Sequence, residues 1–270
     1  MFELHPPKDD NLYISEVKEH SQDKHYFLMR YIDAFTTSMK NKWNGLHYID
    51  LFAGAGVERL SESGKLNWGS PLIAAQAPYP FARLHLCEKN KKKYEALAQR
   101  VRKLHPHTQV LNGDANTRID DVVREIPERT LSLAFLDPYG LHLAFDTLRK
   151  LCDIRADLII FFPDHLDALR NWEEHYWENP DSNLDLCLGS GAHWRSILDA
   201  KPQPRWAEAL RELYVSQIRS LGYTQFAYQR IKARGHPLYI LILCSRSTAA
   251  VKLWRGIAGK EPDGQRRLPF

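Results

Sequence analysis

The sequence predicts an α/β fold, a doubly wound and mostly parallel sheet with helices on both faces. Three observations predict it. Short β-prone runs alternate with segments of helical periodicity from His47 to Phe162. The first β-prone run ends directly in the glycine-rich turn Ala53-Gly54-Ala55-Gly56. The chain then closes with two β-prone runs around Arg234-Gly235-His236-Pro237, an antiparallel pair in place of another strand-helix unit.

Each element follows from its own residues. Ser21 to Met39 carries Phe27, Leu28, Tyr31, Ile32 and Phe35 at helical spacing, which predicts one buried stripe. His47 to Phe52 reads as the first strand, and the polar stretch Val57 to Gly69 reads as irregular. Ser70-Pro71 offers an N-cap and a proline in the first turn, opening a helix from Leu72 to Ala77. The alternation continues with strand 82–87, helix 90–104, strand 108–111, helix 119–126, strand 131–136, helix 144–151 and strand 157–162. A tryptophan-bearing segment from Pro163 to about Trp206 breaks the rhythm and is the candidate substrate element. Helix 207–221 and strands 224–231 and 238–244 complete the chain. We divide one domain, 1–270, into a helical extension (1–45), a ligand-binding core (46–163), an insertion (164–206), a final helix and hairpin (207–250) and a tail (251–270).

Composition narrows the class. At 270 residues, with 44% hydrophobic and 26% charged residues, the chain can bury one sizeable core. The net charge of +4 permits a polyanionic partner but is too small for a dedicated nucleic-acid tail. Cys87, Cys152, Cys187 and Cys244 are scattered without zinc-site or disulfide spacing, so no metal is expected and a reducing cytoplasm fits. No apolar run approaches a membrane span, and Met1 to Asp10 lacks the pattern of a signal peptide.

The chemistry concentrates at strand ends. Open α/β sheets bind ligands beyond the carboxyl ends of their strands, and four acidic residues fall there: Asp50, Glu88, Asp114 and Asp137. Asp50 can accept hydrogen bonds from an amino-acid ammonium, while Phe52, Gly54 and Gly56 bring the turn close to a ligand. The competing reading is a tight turn that binds nothing, or another kind of nucleotide loop. Glu88 can hold a ribose diol with its two oxygens, or else cap the basic helix behind it. Asp114, followed by Ala115, can accept from an adenine amino group, or serve as an ordinary turn aspartate. Asp137-Pro138-Tyr139-Gly140 can orient an amine through the carboxylate and the proline carbonyl, with Tyr139 stacking on a base; taken alone it is equally a strand-ending turn.

Tyr48 to Gly56, Glu88, Asp114 and Asp137 to Gly140 resemble motifs I to IV of S-adenosylmethionine-dependent methyltransferases. More narrowly, Lys24-His25 with the helix that follows, Ile49 to Gly56, Gly69-Ser70-Pro71-Leu72 and Asp137 to Gly140 resemble the bacterial three-Cys-motif partner family, over Glu16 to Cys244. The layout is also similar to ribosomal-RNA adenine-N6 methyltransferases. The resemblance implies the Rossmann-like class I methyltransferase fold, with strand order 3-2-1-4-5-7-6 and S-adenosylmethionine as cofactor. It implies that Lys24 and His25 lie near the cofactor; the residues alone are equally a solvated lysine and a surface or capping histidine. The pattern departs at one place. Amino-methyltransferases carry two prolines before the aromatic, whereas here Tyr139 comes one position early, closer to the form in transfer-RNA guanine-N2 dimethyltransferases.

The expected activity is methyl transfer to an exocyclic amine of a nucleic-acid base, adenine N6 or guanine N2. The second reading is a cofactor-binding partner protein with no transfer of its own, working in a complex with a neighbouring gene product. A third, a nicotinamide-dependent oxidoreductase, uses Glu88 on an adenosine ribose, and the closing hairpin and Asp137-Pro138 weigh against it. The run Lys89, Lys91, Lys92, Lys93, Arg100, Arg102 and Lys103 reads as a solvated helix face. Trp172, Trp177, Trp194 and Trp206 with Arg170, Arg195 and Arg205 form either a base-stacking surface or a local mini-core.

Overall fold

A computed structural model describes residues 2–162, 176–179, 181–189, 193–233 and 236–258. Its main sheet contains β2 (Leu46–Asp50), β5 (Arg83–Glu88), β6 (Thr108–Asn112), β7 (Leu131–Leu136), β8 (Ala156–Phe162), β9 (Gln225–Ala233) and β10 (His236–Ser245). They lie in the order β6-β5-β2-β7-β8-β10-β9. Counted within this sheet alone, that is the expected 3-2-1-4-5-7-6. The first five strands pair in parallel, and β10 runs antiparallel to both β8 and β9. The central strands read as continuous apolar runs because helices cover both of their faces; every residue of β2 is buried.

On one face α1 (Ser21–Met39), α3 (Lys91–Leu104) and α9 (Thr248–Ala258) bury Phe27, Tyr31, Phe35, Leu97 and Trp254 against Tyr48, Leu84 and Phe135. The other face takes Ile119 and Val122 of α4 (Ala115–Val123), Leu148 of α5 (Phe145–Leu151) and Tyr214 of α8 (Trp206–Ser220). These pack on Ile49, Ala134 and Ile160. Each such side chain contributes about 1.5–3 kcal/mol on burial, so the apolar stripe of α1 is what ties the N-terminal helix to the sheet.

Three expectations need correction, and one alternative reading falls away. Val57 to Gly69 is not irregular: β3 (Val57–Leu60) and β4 (Leu66–Trp68) form a hairpin, and β1 (Ser15–Val17) adds to it in parallel, Ser15 opposite Glu58. These strands are too short and polar to signal themselves, and their pairing is supplied by a distant segment. Ser70 does not cap α2 (Ser70–Ala75): Gly69 holds the N-cap position, and the Ser70 hydroxyl points instead to Asp50. The tail contains α9, which packs on α1 and β9. Asn90, not Glu88, caps α3, through Lys93 N–H.

Within the insertion, residues 163–175, including Arg170 and Trp172, lie outside the described residues. The rest holds α6 (Asn183–Leu188) and α7 (Trp194–Asp199). Trp177 meets Trp194 edge-on and stacks on Trp206 at 6.4 Å. Arg195 grips Asp185 with two nitrogens and donates to the carbonyls of Tyr176, Trp177 and Asn179. The described tryptophans therefore build a mini-core. No described helix is long and apolar enough to cross a membrane.

Candidate functional site

The parallel strands deliver their carboxyl ends to one edge, and the glycine turn lies along it. Gly54 has φ +64° and Gly56 φ +82°, the left-handed region that disfavours side chains. Their surroundings differ. A Cβ on Gly54 would enter open space, whereas one on Gly56 would strike Leu72 at 2.9 Å and Leu97 at 3.1 Å. Gly56 thus lets the turn pack against α2 and α3, and Gly54 leaves a bare cradle above it.

Asp50 lies beneath this turn. It is fully buried, with Oδ1 accepting from Phe52 N–H at 3.2 Å and Oδ2 from Ser70 Oγ–H at 2.6 Å and Tyr48 O–H at 3.3 Å. Burial pushes its carboxyl up to about 7 against the pull of those donors. Phe52, partly exposed, packs on the core face that carries α4. Glu88 folds toward the turn: Oε2 accepts from Gly54 N–H at 2.9 Å and Oε1 from Asn90 N–H at 2.6 Å. Asp114 caps α4 through Asn116 N–H at 2.9 Å and pairs with Lys89 at 3.0 Å. Burial works to raise its carboxyl, but Lys89 and the Asn116 amide hold it below the ordinary value. Ala115, the first residue of α4, is buried.

At the next strand tip Lys24 Nζ donates to Asp137 Oδ2 at 2.5 Å, the two side chains being 13% and 16% exposed. Pro138 is buried, while Tyr139 stands 91% exposed beside it. Burial alone would lower the Lys24 ammonium, yet Asp137 and Glu58 together hold it above the ordinary lysine value. His25, 4% exposed, has Nδ1 3.5 Å from Glu58 Oε2, beyond normal hydrogen-bond reach. Neither atom has a hydrogen-bond partner among the described residues. Burial first and the Lys24 charge second keep His25 neutral, well below its usual range, and burial raises Glu58 to about 7.

The structure therefore brings Lys24, His25, Asp50 and Asp137 into one cluster, and lines Glu88 and Asp114 along the same sheet edge with the turn between. Sequence reasoning missed Glu58, because nothing in Val57-Glu58-Arg59-Leu60 marks it before the hairpin is known. It also missed Arg100, read as part of a solvated face. Arg100 is buried, bonded to Asp10, to the Tyr13 carbonyl and to the Ala55 carbonyl within the turn. A cavity of 640 Å³ bounded by Phe145, Arg149, Asp185, Trp194 and Arg195 contains none of the residues expected to hold the cofactor or the acceptor amine, and only Trp194 and Arg195 of the candidate aromatic surface. Among the described residues no His, Cys, Asp and Glu group is arranged to hold a metal.

No protein-family model and no curated protein matches the chain. Solved structures do. A Legionella pneumophila protein superposes with a TM-score of 0.53 at 13% identity, over 87% of this chain and 90% of that one. A Klebsiella pneumoniae protein assigned as an O-methyltransferase gives a TM-score of 0.50 at 9% identity, over 88% and 84% of the two chains. With the 3-2-1-4-5-7-6 sheet, this likeness shows that the chain has the Rossmann-like methyltransferase fold.

Proposed function

We propose that the chain is an S-adenosylmethionine-dependent methyltransferase acting on an exocyclic amine of a nucleic-acid base, adenine N6 or guanine N2. One observation carries the reading: Asp137, at the tip of the central strand β7, already holds an amine, that of Lys24, beside the solvent-exposed ring of Tyr139. A carboxylate that binds an ammonium there can bind a base amine in the same place, with the Pro138 carbonyl taking its second proton and Tyr139 offering a stacking face.

The residues fit the cofactor. Gly54 leaves room over the turn, and each Glu88 oxygen, bonded to one backbone N–H, keeps a lone pair for a ribose hydroxyl. Asp114 and Ala115 would meet the adenine. Gly56, Phe52 and the buried Asp50 shape the turn, and Asp50 becomes a counter-charge beneath the cofactor's ammonium when that cation favours its ionised form. Lys24 and His25 border the methionine end. S-adenosylmethionine supplies an electrophilic methyl on a positively charged sulfur. What remains for the protein is positioning and electrostatics at the nitrogen, since this displacement needs little acid-base help.

The test is Asp137→Ala. Transfer of labelled methyl to total RNA or DNA should be lost while calorimetry shows nearly unchanged S-adenosylmethionine affinity; unchanged turnover would refute the assignment. Calorimetry with a nicotinamide dinucleotide beside it separates the oxidoreductase reading. The narrower resemblance, to three-Cys-motif partners in a bacterial cytoplasm, motivates a second reading: a cofactor-binding protein inactive without its neighbour. The position of Tyr139, one residue early for the amino-methyltransferase pattern, favours it. Methylation of nucleic acid by the purified chain alone would exclude it.

A further inference from the structure

The mouth of the site holds two acidic side chains for one lysine, and they are unequally served. Asp137 has the Lys24 ammonium at 2.5 Å. Glu58 reaches in from the β3–β4 hairpin, and its Oε2 is buried with no hydrogen-bond donor among the described residues. Its neighbour His25 is orphaned in the same way, with Nδ1 3.5 Å off. Leaving a buried acceptor without a donor costs about 1–3 kcal/mol, and more for a charged one. Such a group calls for a partner that this state of the protein does not show.

Lys24 directly precedes His25 on α1, the residue that lies 3.5 Å from Glu58, and its ammonium already sits in this cluster, where its charge acts on both acids. The proposed function, on which this inference rests, places the acceptor amine on the same carboxylate that the Lys24 ammonium holds, so amine and ammonium compete for Asp137. We propose that Glu58 is a second seat for Lys24, and that binding of the acceptor amine to Asp137 displaces the ammonium onto Glu58. In the free protein Lys24 masks Asp137. In the loaded protein the Lys24 charge stays neutralised inside the site, Asp137 faces the acceptor, and Glu58 gains the hydrogen bond it lacks. Glu58 is then a positioning residue that acts through Lys24 and touches neither substrate nor cofactor.

Two measurements decide this without reference to methyl transfer. The first is a crystal structure of the Asp137→Ala protein, which should show Lys24 Nζ within about 3.2 Å of a Glu58 carboxylate oxygen. A lysine that stays away from Glu58 overturns the proposal. The second is thermal unfolding of Asp137→Ala, Glu58→Gln and the double variant. With one seat left Lys24 keeps a counter-ion, and with none it is a buried unpaired charge, so the double variant should lose at least about 5 °C of Tm beyond the sum of the single losses.

Should the double variant fail to fold, adding Lys24→Met must restore it, because the stranded charge is then gone. Additive losses, or no rescue, refute the second seat. In the transfer assay Glu58→Gln should lower kcat/KM by about tenfold or more with S-adenosylmethionine affinity unchanged; full turnover of that variant refutes the displacement step. If the wild-type chain itself transfers no methyl, the function proposed above fails, while the structure and the unfolding cycle still decide where Lys24 can sit.

Discussion

Replacing each glycine of the turn by alanine separates what the turn does for the fold from what it does for the ligand. Both residues sit at positive φ, +64° for Gly54 and +82° for Gly56. Either alanine therefore pays roughly 1–2 kcal/mol for a left-handed backbone. Only at Gly56 does the new methyl collide, 2.9 Å from Leu72 Cδ1 and Cγ and 3.1 Å from Leu97 Cδ1. Both leucines are fully buried and cannot swing into solvent. Overpacking of that kind costs about 1–3 kcal/mol more. Gly56→Ala should thus lose about 2–5 kcal/mol and Gly54→Ala about 1–2 kcal/mol, in urea unfolding of the two proteins beside wild type. Calorimetry with S-adenosylmethionine should rank them the other way. The Gly54→Ala methyl projects into the cradle and should weaken binding by about tenfold or more, about 1.4 kcal/mol. If Gly56→Ala proves no less stable than Gly54→Ala, the packing argument is wrong. If Gly54→Ala binds as wild type does, the open space above Gly54 is not the cofactor's place.

Other outcomes follow from the same geometry. Burial and the His85 charge push His47 down to about 4 from 6.5; its Nδ1 lies 3.0 Å from His85 Nε2 inside the sheet. The folded state favours the neutral ring, so this contribution is complete above pH 6.5 and is lost as pH falls toward 4. It amounts to at most about 3 kcal/mol. Urea unfolding at pH 7 and pH 4 should show wild type losing more stability over that interval than His47→Phe, and equal losses would refute the assignment. Arg100→Ala should cost about 3 kcal/mol, because it strips the partners from Asp10 and from the Ala55 and Tyr13 carbonyls. Limited proteolysis should then cut between residues 2 and 14, and resistance equal to wild type would show that Arg100 does not hold that segment. Tyr139→Ala should change stability by less than about 0.5 kcal/mol, since the ring is 91% exposed. Under the proposed function it should weaken single-stranded RNA or DNA binding by about 1–3 kcal/mol in a fluorescence titration.

The sheet was legible in the sequence because its signals are local. Apolar runs such as Leu131 to Leu136 and the stripe of Phe27, Tyr31 and Phe35 declare themselves within a few residues, and they specify strand and helix wherever both sheet faces are covered. Acidic residues that end consecutive strands are likewise countable in one dimension, and parallel pairing brings them to a common edge. Long-range partners are not countable in this way. The β3–β4 hairpin exists because β1 pairs with it across forty residues of chain, and Arg100 left its basic helix face for Asp10.

Residue type, spacing and periodicity in the chain were enough to mark the main strands and helices, the glycine turn and the set of carboxylates at the strand tips, while the order of the sheet came from the resemblance to methyltransferases. Only the tertiary structure decided what each carboxylate faces. Asp50 is buried under the turn, Glu88 is bonded to it, Asp137 is bound by Lys24, and Glu58 is carried in on a hairpin without a hydrogen-bond partner. The physical reason is that secondary structure follows from contacts a few residues apart, whereas the protonation, burial and partner of a side chain are set by groups dozens of residues away in sequence.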